Sequence, residues 1–206
     1  MLDPDRAFAL THVPHAVRPA LAALWALDQR LGSIVVSTTQ PMVGQMRMTW
    51  WHEALTTLQA GVQRGEPILD ALAEHVVGSH DIAGPVLARL VEGWEVLLDP
   101  LPFEEDVLQT YGEARGDRLF TLSAQMLGQS CDNGAGRGWA LTDFALRCSD
   151  PGTGKRAGML ARQALAKARI GRLPRALRVL ARFASNDLRH GVPVPRTFWR
   201  LIASIR

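Results

Sequence analysis

Apolar residues recur at three- and four-residue steps along almost the whole chain, which is the period of a helix with one face against a core. Val17, Leu21, Leu24, Leu27, Leu31 and Ile34 predict a first long helix over about Ala16 to Val35. Pro41 precedes a second, about Val43 to Ala60, whose apolar positions include Met46, Trp50, Ala54 and Leu58, and which ends near Gly61. Pro67 opens a third through Ile68, Leu72 and Val76, and Gly78-Ser79 breaks it. Pro85 starts a fourth through Leu97 that stops at Asp99-Pro100, because the residue before proline avoids the α region. A long fifth segment covers about Phe103 to Leu127, and a sixth about Gly136 to Arg147. A loop from Ser149 to Gly154 then leads to two helices, about Lys155 to Ala168 and Pro174 to Asn186, and Pro193 and Pro195 introduce a short last one. No alternating run with strong turn signals predicts a strand. The expectation is an all-α helical bundle of about nine helices in one domain, residues 1–206.

Composition narrows this little, but charge does more. Nearly half of the 206 residues are hydrophobic, enough for a sizeable core. The net charge is only +3. From Lys155 to Arg206, however, thirteen Lys and Arg stand against the single acid Asp187. That stretch reads either as a solvated helical surface or as a basic face toward phosphate groups. If lipid binding is its role, the helices between Lys155 and Arg182 face the membrane. Nucleic acid is disfavoured, since no helix-turn-helix or aromatic-interleaved pattern accompanies the charge. Cys131 and Cys148 fit no zinc or redox spacing and predict free thiols in a reducing compartment. The acidic start MLDPDRAF has no apolar signal-peptide core, and no apolar run is long enough to span a bilayer. The expected location is the cytoplasm, with any membrane contact peripheral, on the inner membrane.

Candidate chemistry is sparse. Glu95/Asp99 and Glu113/Asp117 have the i,i+4 spacing that puts two carboxylates on one helix face. The first pair reads as a solvated face, and Arg115 and Arg118 beside the second suggest local ion pairing. His12 and His15 flank Val13-Pro14, which prevents a regular helical metal pair, and no third ligand is evident. His52 and Glu53 are helix neighbours and point apart. Trp50 and Trp51 cannot share a face; they are either packing anchors or the wall of an apolar pocket. Trp25, Trp94, Trp139 and Trp199 carry the same two readings. Gly152 to Arg156 lacks the first glycine and the hydroxyl residue of a phosphate loop.

The order of these features resembles the squalene/phytoene synthase family. Ala7-Phe8 and Val17-Arg18-Pro19-Ala20-Leu21 through Leu27, with Trp25 near the end, are similar to its first helices. Gly44-Gln45-Met46-Arg47-Met48-Thr49-Trp50-Trp51-His52-Glu53-Ala54-Leu55 resembles its R-x-x-W-W-x-x-A-L helix. Leu108 to Gly116, with Tyr111 and Gly112, resembles its Y…G helix, and Gly136 to Leu146 the start of its second aspartate-rich helix. The Trp-Trp helix is the most specific element, and it resembles a branch that includes a mitochondrial complex I assembly factor.

The resemblance implies an isoprenoid synthase type of fold with a central cavity, for which Phe8, Arg18, Trp25, Trp50, Trp51 and Tyr111 are the candidate lining residues. It also implies two aspartate-rich motifs on facing helices that hold Mg²⁺ against a prenyl diphosphate. Here the first motif falls on Gly32, Ser33 and Val36, with Asp28 one turn earlier as the nearest carboxylate. The second falls on Ala140, Asp143 and Arg147. An arginine at a metal position repels the cation. The expectation is therefore a degenerate, non-catalytic relative with no metal and no cofactor. Its role would be that of an assembly factor or a scaffold that binds lipid or isoprenoid, with a membrane surface or a respiratory-complex subunit as partner. The alternative is an active, Mg²⁺-dependent prenyltransferase that condenses prenyl diphosphates. Its weak candidate catalytic residues are Asp28, Glu113, Asp117 and Asp143.

Overall fold

A computed structural model describes residues 2–131 and 134–193. Among them every regular element is helical. The elements are α1 (Pro4–Leu10), α2 (Arg18–Ser37), α3 (Pro41–Thr56), α4 (Pro67–Leu72), α5 (Gly84–Glu95), α6 (Glu105–Tyr111), α7 (Arg118–Met126), α8 (Ala135–Arg147), α9 (Pro151–Lys167) and α10 (Arg175–His190). A π-turn, Ala73–Val77, extends α4, and a second, Gly112–Asp117, joins α6 to α7 without a break. The expected short helix after Pro195, and Trp199 within it, lie outside the described residues.

Prolines start these helices. α1, α2, α3, α4, α5 and α9 each have one in the first two positions, where the missing N–H costs nothing. Two of the starts correct the sequence expectation. Asp3 accepts from the amides of Asp5 and Arg6, both at 3.0 Å, and so caps α1, an element the apolar periodicity is too short to reveal. Asp150 accepts from the Thr153 amide at 2.6 Å, so α9 begins at Pro151 and absorbs most of the predicted loop. Gly152 to Arg156 are thus the first turns of a helix and not a phosphate loop.

Two groups of helices meet at the centre. α2 packs on α3, α4 and α5, while α8 packs on α9, α10 and the Gly112–Asp117 turn. That turn also leans on α5. Glycines allow both approaches. A Cβ at Gly116 would lie 2.2 Å from the Gly136 carbonyl oxygen, and one at Gly136 would lie 2.1 Å from that of Gly116. A Cβ on Gly93 of α5 would meet the Arg115 amide nitrogen at 2.6 Å. The turn is therefore clamped between α5 and α8 with backbone against backbone. Trp25 is fully buried and donates its indole N–H to Ser123 Oγ at 3.0 Å, tying α2 to α7.

Gly136→Ala must push two backbones apart and should cost about 3 kcal/mol or more, whereas Gly171→Ala, with open space around it, should stay within about 0.5 kcal/mol. Chemical denaturation of the two variants checks the contrast.

Candidate functional site

A carboxylate and a guanidinium stand where the apolar stripes of α2 and of the α6–α7 rod face each other. Asp28 follows Leu24 and precedes Leu31 on the buried face of α2. Arg115 lies one turn after Tyr111 and one turn before Leu119, which are both buried. Both charged residues are sealed from solvent, Asp28 at 0 % exposure and Arg115 at 1 %. A buried charge is tolerable only when paired and hydrogen-bonded, and here the pairing is close to complete.

Arg115 grips Asp28 in two places, Nε to Oδ1 at 3.0 Å and Nη2 to Oδ2 at 3.2 Å. The Trp94 indole donates to Asp28 Oδ1 at 2.8 Å, and Arg6 of α1 donates to Oδ2. The far side of Arg115 reaches Asp143 Oδ2 at 3.0 Å and the Tyr111 hydroxyl. Asp143 is in turn held by Arg147 at 2.9 Å, and Arg6 by Asp3. Asp3, Arg6, Asp28, Arg115, Asp143 and Arg147 thus form one alternating chain of charge through the bundle.

Three aromatic rings sheathe its centre. The Arg115 guanidinium lies 4.1 Å from the Trp94 ring, 4.7 Å from Trp139 and 5.5 Å from Tyr111. Arg6 lies 5.1 Å from the same Trp139. The negative ring faces add to the attraction in a dry site. Burial alone would raise the Asp28 carboxyl, but the charges of Arg115 and Arg6, with hydrogen bonds from Arg115 and Trp94, hold it below its ordinary 3.8. Burial works against the Arg115 charge too, and Asp28 outweighs it, so the guanidinium stays protonated. Burial pushes the Tyr111 phenol up, against the Arg115 charge, so it remains neutral.

The other candidate acids serve structure. Asp117 Oδ1 accepts from the amides of Gly134 at 2.8 Å and Arg137 at 2.9 Å, which caps α8 from a neighbouring element. Its Oδ2 takes the Arg137 side chain, whose Nη1 also meets Glu113 at 3.0 Å. The expected pairing of Arg115 and Arg118 with Glu113 and Asp117 is therefore corrected: Arg118 meets Glu92 at 3.2 Å, and Arg137 takes both acids. Glu95 is hydrogen-bonded by Gln45, and Asp99 is exposed. His12 packs edge-on to Phe8, with centroids 5.2 Å apart, and His15 is exposed.

Of the six proposed lining residues, Tyr111 touches the charge chain, its hydroxyl accepting from Arg115. Trp25 belongs to the α2–α7 contact. Phe8 packs on Phe183 with centroids 6.0 Å apart. Arg18 donates to the Val13 carbonyl at 3.1 Å. Trp51 is buried under α3, edge-on to Trp50 at 5.2 Å. Trp50 corrects the expectation most clearly: it stands half-exposed on the outside of α3, in a row with Met42 and Met46 at i,i+4 spacing. The space expected to be an open cavity between α2 and α8 is, between Asp28 and Asp143, filled by Arg115. A separate groove of about 300 Å³ runs among α6, α8 and α9, lined by Gln109, Arg137, Lys167, Leu141 and Leu160 among others.

The two acids that face each other from α2 and α8, and the helical order around them, agree with a family match. The squalene/phytoene synthase model matches residues 2–184. The chain belongs to the squalene/phytoene synthase family. No curated protein and no solved structure matches it significantly. In this family member Arg6, Asp3 and Arg115 are central, and sequence reasoning assigned them no such place. A usable signal existed for Arg115: a charge on the stripe Leu108, Tyr111, Leu119, Leu122 has to find a buried partner, and Asp28 on the α2 stripe is the matching one.

Removing one partner leaves the other charge buried alone. Arg115→Met and Asp28→Leu should each destabilise by about 3–5 kcal/mol, and the double variant should recover a large part of the summed loss. Denaturant titrations of the four proteins give the coupling.

The Asp28 carboxyl is depressed in the fold, so its contribution is complete above 3.8 and is lost as pH falls through its lower folded value. Stability of the wild type should therefore fall more steeply than that of Asp28→Asn below pH 3.8. Thermal midpoints across an acid series read the difference.

Proposed function

We propose that this chain is a non-catalytic member of its family, an arginine having taken the place of the metal cage, and that it works as a scaffold or assembly factor. The observation that carries this reading is the position of Arg115 between Asp28 of α2 and Asp143 of α8. A divalent cation would have to bridge carboxylates from these facing helices, and a permanent guanidinium already does so. Mg²⁺ does not fit this donor set. It needs hard oxygen ligands with waters around them, and the oxygens here are committed to Arg115, Arg6, Trp94 and Arg147. Among the described residues no three of His, Cys, Asp or Glu gather to hold a metal. Glu113 and Asp117, the substitute pair of the prenyltransferase alternative, are spent on Arg137 and on the cap of α8.

Surfaces support the scaffold half of the reading. The exposed row Met42, Met46 and Trp50 on the Trp-Trp helix has the chemistry of a contact face. The groove among α6, α8 and α9 combines Arg137 and Lys167 with Leu141 and Leu160, a lining suited to a lipid or isoprenoid with a polar head. The resemblance of α3 to the complex I assembly branch makes a respiratory-complex subunit a natural partner. No described helix is long and apolar enough to cross a membrane, so a membrane partner would be met from the side.

Purified protein supplied with farnesyl and geranylgeranyl diphosphate should release no diphosphate and form no hydrocarbon, with or without Mg²⁺. Metal-dependent turnover would overturn the proposal and return Glu113, Asp117 and Asp143 to the catalytic role.

A further inference from the structure

Charge is divided along this chain far more sharply than its total suggests. Residues 1–150 carry ten arginines against nineteen acids, a net −9, and residues 151–206 carry thirteen Lys and Arg against one acid, a net +12. Among the described residues, Lys155, Arg162, Lys167, Arg169, Arg172, Arg175 and Arg189 of the second group are exposed. α10 buries Leu177, Leu180, Phe183 and Leu188 against the bundle. Arg175, Arg178, Arg182 and Arg189 recur on its other side at helical spacing. Arg169 and Arg172, in the turn before it, are exposed as well. Asp187, the acid of this region, is buried.

We infer that the outer side of α10 and the turn that precedes it form a docking face for an anionic lipid surface. This deepens the scaffold reading and rests on it for its purpose. Lipid is favoured over nucleic acid by the aromatic side chains. Within 151–193 the one Phe, Tyr or Trp is Phe183, which is buried, so the outer side of α10 presents none of these rings for bases to stack on.

Arg156, Arg162 and Arg178 bond within the fold, Arg156 to the Phe103 carbonyl. Arg162 holds the Leu188 carbonyl at 3.2 Å and Arg178 holds that of Gly171 at 3.2 Å. A test should leave them intact and use Arg169→Gln, Arg172→Gln and Arg175→Gln together. The full chain is floated with phosphatidylcholine vesicles, with and without phosphatidylglycerol, at low and high salt. Wild type should bind the phosphatidylglycerol vesicles alone and release at high salt. The triple variant, with unchanged circular dichroism, should bind them on the order of a hundredfold more weakly. Equal binding to neutral and anionic vesicles, equal binding by the triple variant, or displacement by an equal phosphate concentration of single-stranded RNA would overturn the inference. The prenyl diphosphate assay contains no vesicles, so turnover there would sink the non-catalytic reading and leave the flotation result standing, and the reverse holds equally.

Discussion

The architecture hangs on the two-point contact between Asp28 and Arg115. A guanidinium cannot shed its charge to suit a dry interior, so everything within reach has to accommodate it. Asp28 faces it from α2, Asp143 from α8, and Trp94 and Trp139 cover its flat surfaces. The fold places it there by an unusual turn. The Gly112–Asp117 π-turn is pressed between α5 and α8 by Gly93, Gly116 and Gly136, so the backbone of Arg115 has no freedom to withdraw. Side-chain electrostatics and backbone contact therefore specify the same position, and each would be strained without the other.

Much of this architecture is legible in the sequence, and the reasons for the rest are physical. The long helices are visible because their apolar stripes repeat over several turns and prolines mark their starts. α1 is hidden because seven residues hold too few apolar repeats to register, and its evidence is one capping aspartate before a proline. The start of α9 is hidden behind glycines that look like a loop until Asp150 is seen to cap them. At the site, Asp28 and Asp143 can be found by their positions near the expected motifs. Arg115 is harder, since neighbouring acids at Glu113 and Asp117 offer it plausible local partners. Helix geometry removes them: residues two apart point to different sides, so Arg115 turns to the core while Glu113 and Asp117 turn to Arg137.

Substituting an arginine for a metal changes what a site can do. A bound Mg²⁺ would be shared with substrate oxygens and would neutralise charge on a departing diphosphate. A guanidinium attached to the chain has fixed donors, and at Arg115 these are taken up by Asp28, Asp143 and Tyr111. Its charge is consumed inside the protein instead of being offered to a ligand. That positive charge holds two helix groups together, through Asp28 of α2 and Asp143 of α8. A core fixed by its own cation does not depend on a metal or a ligand to stay folded. The apolar row on α3 and the arginines along α10 lie outside that core, so they can change without disturbing it.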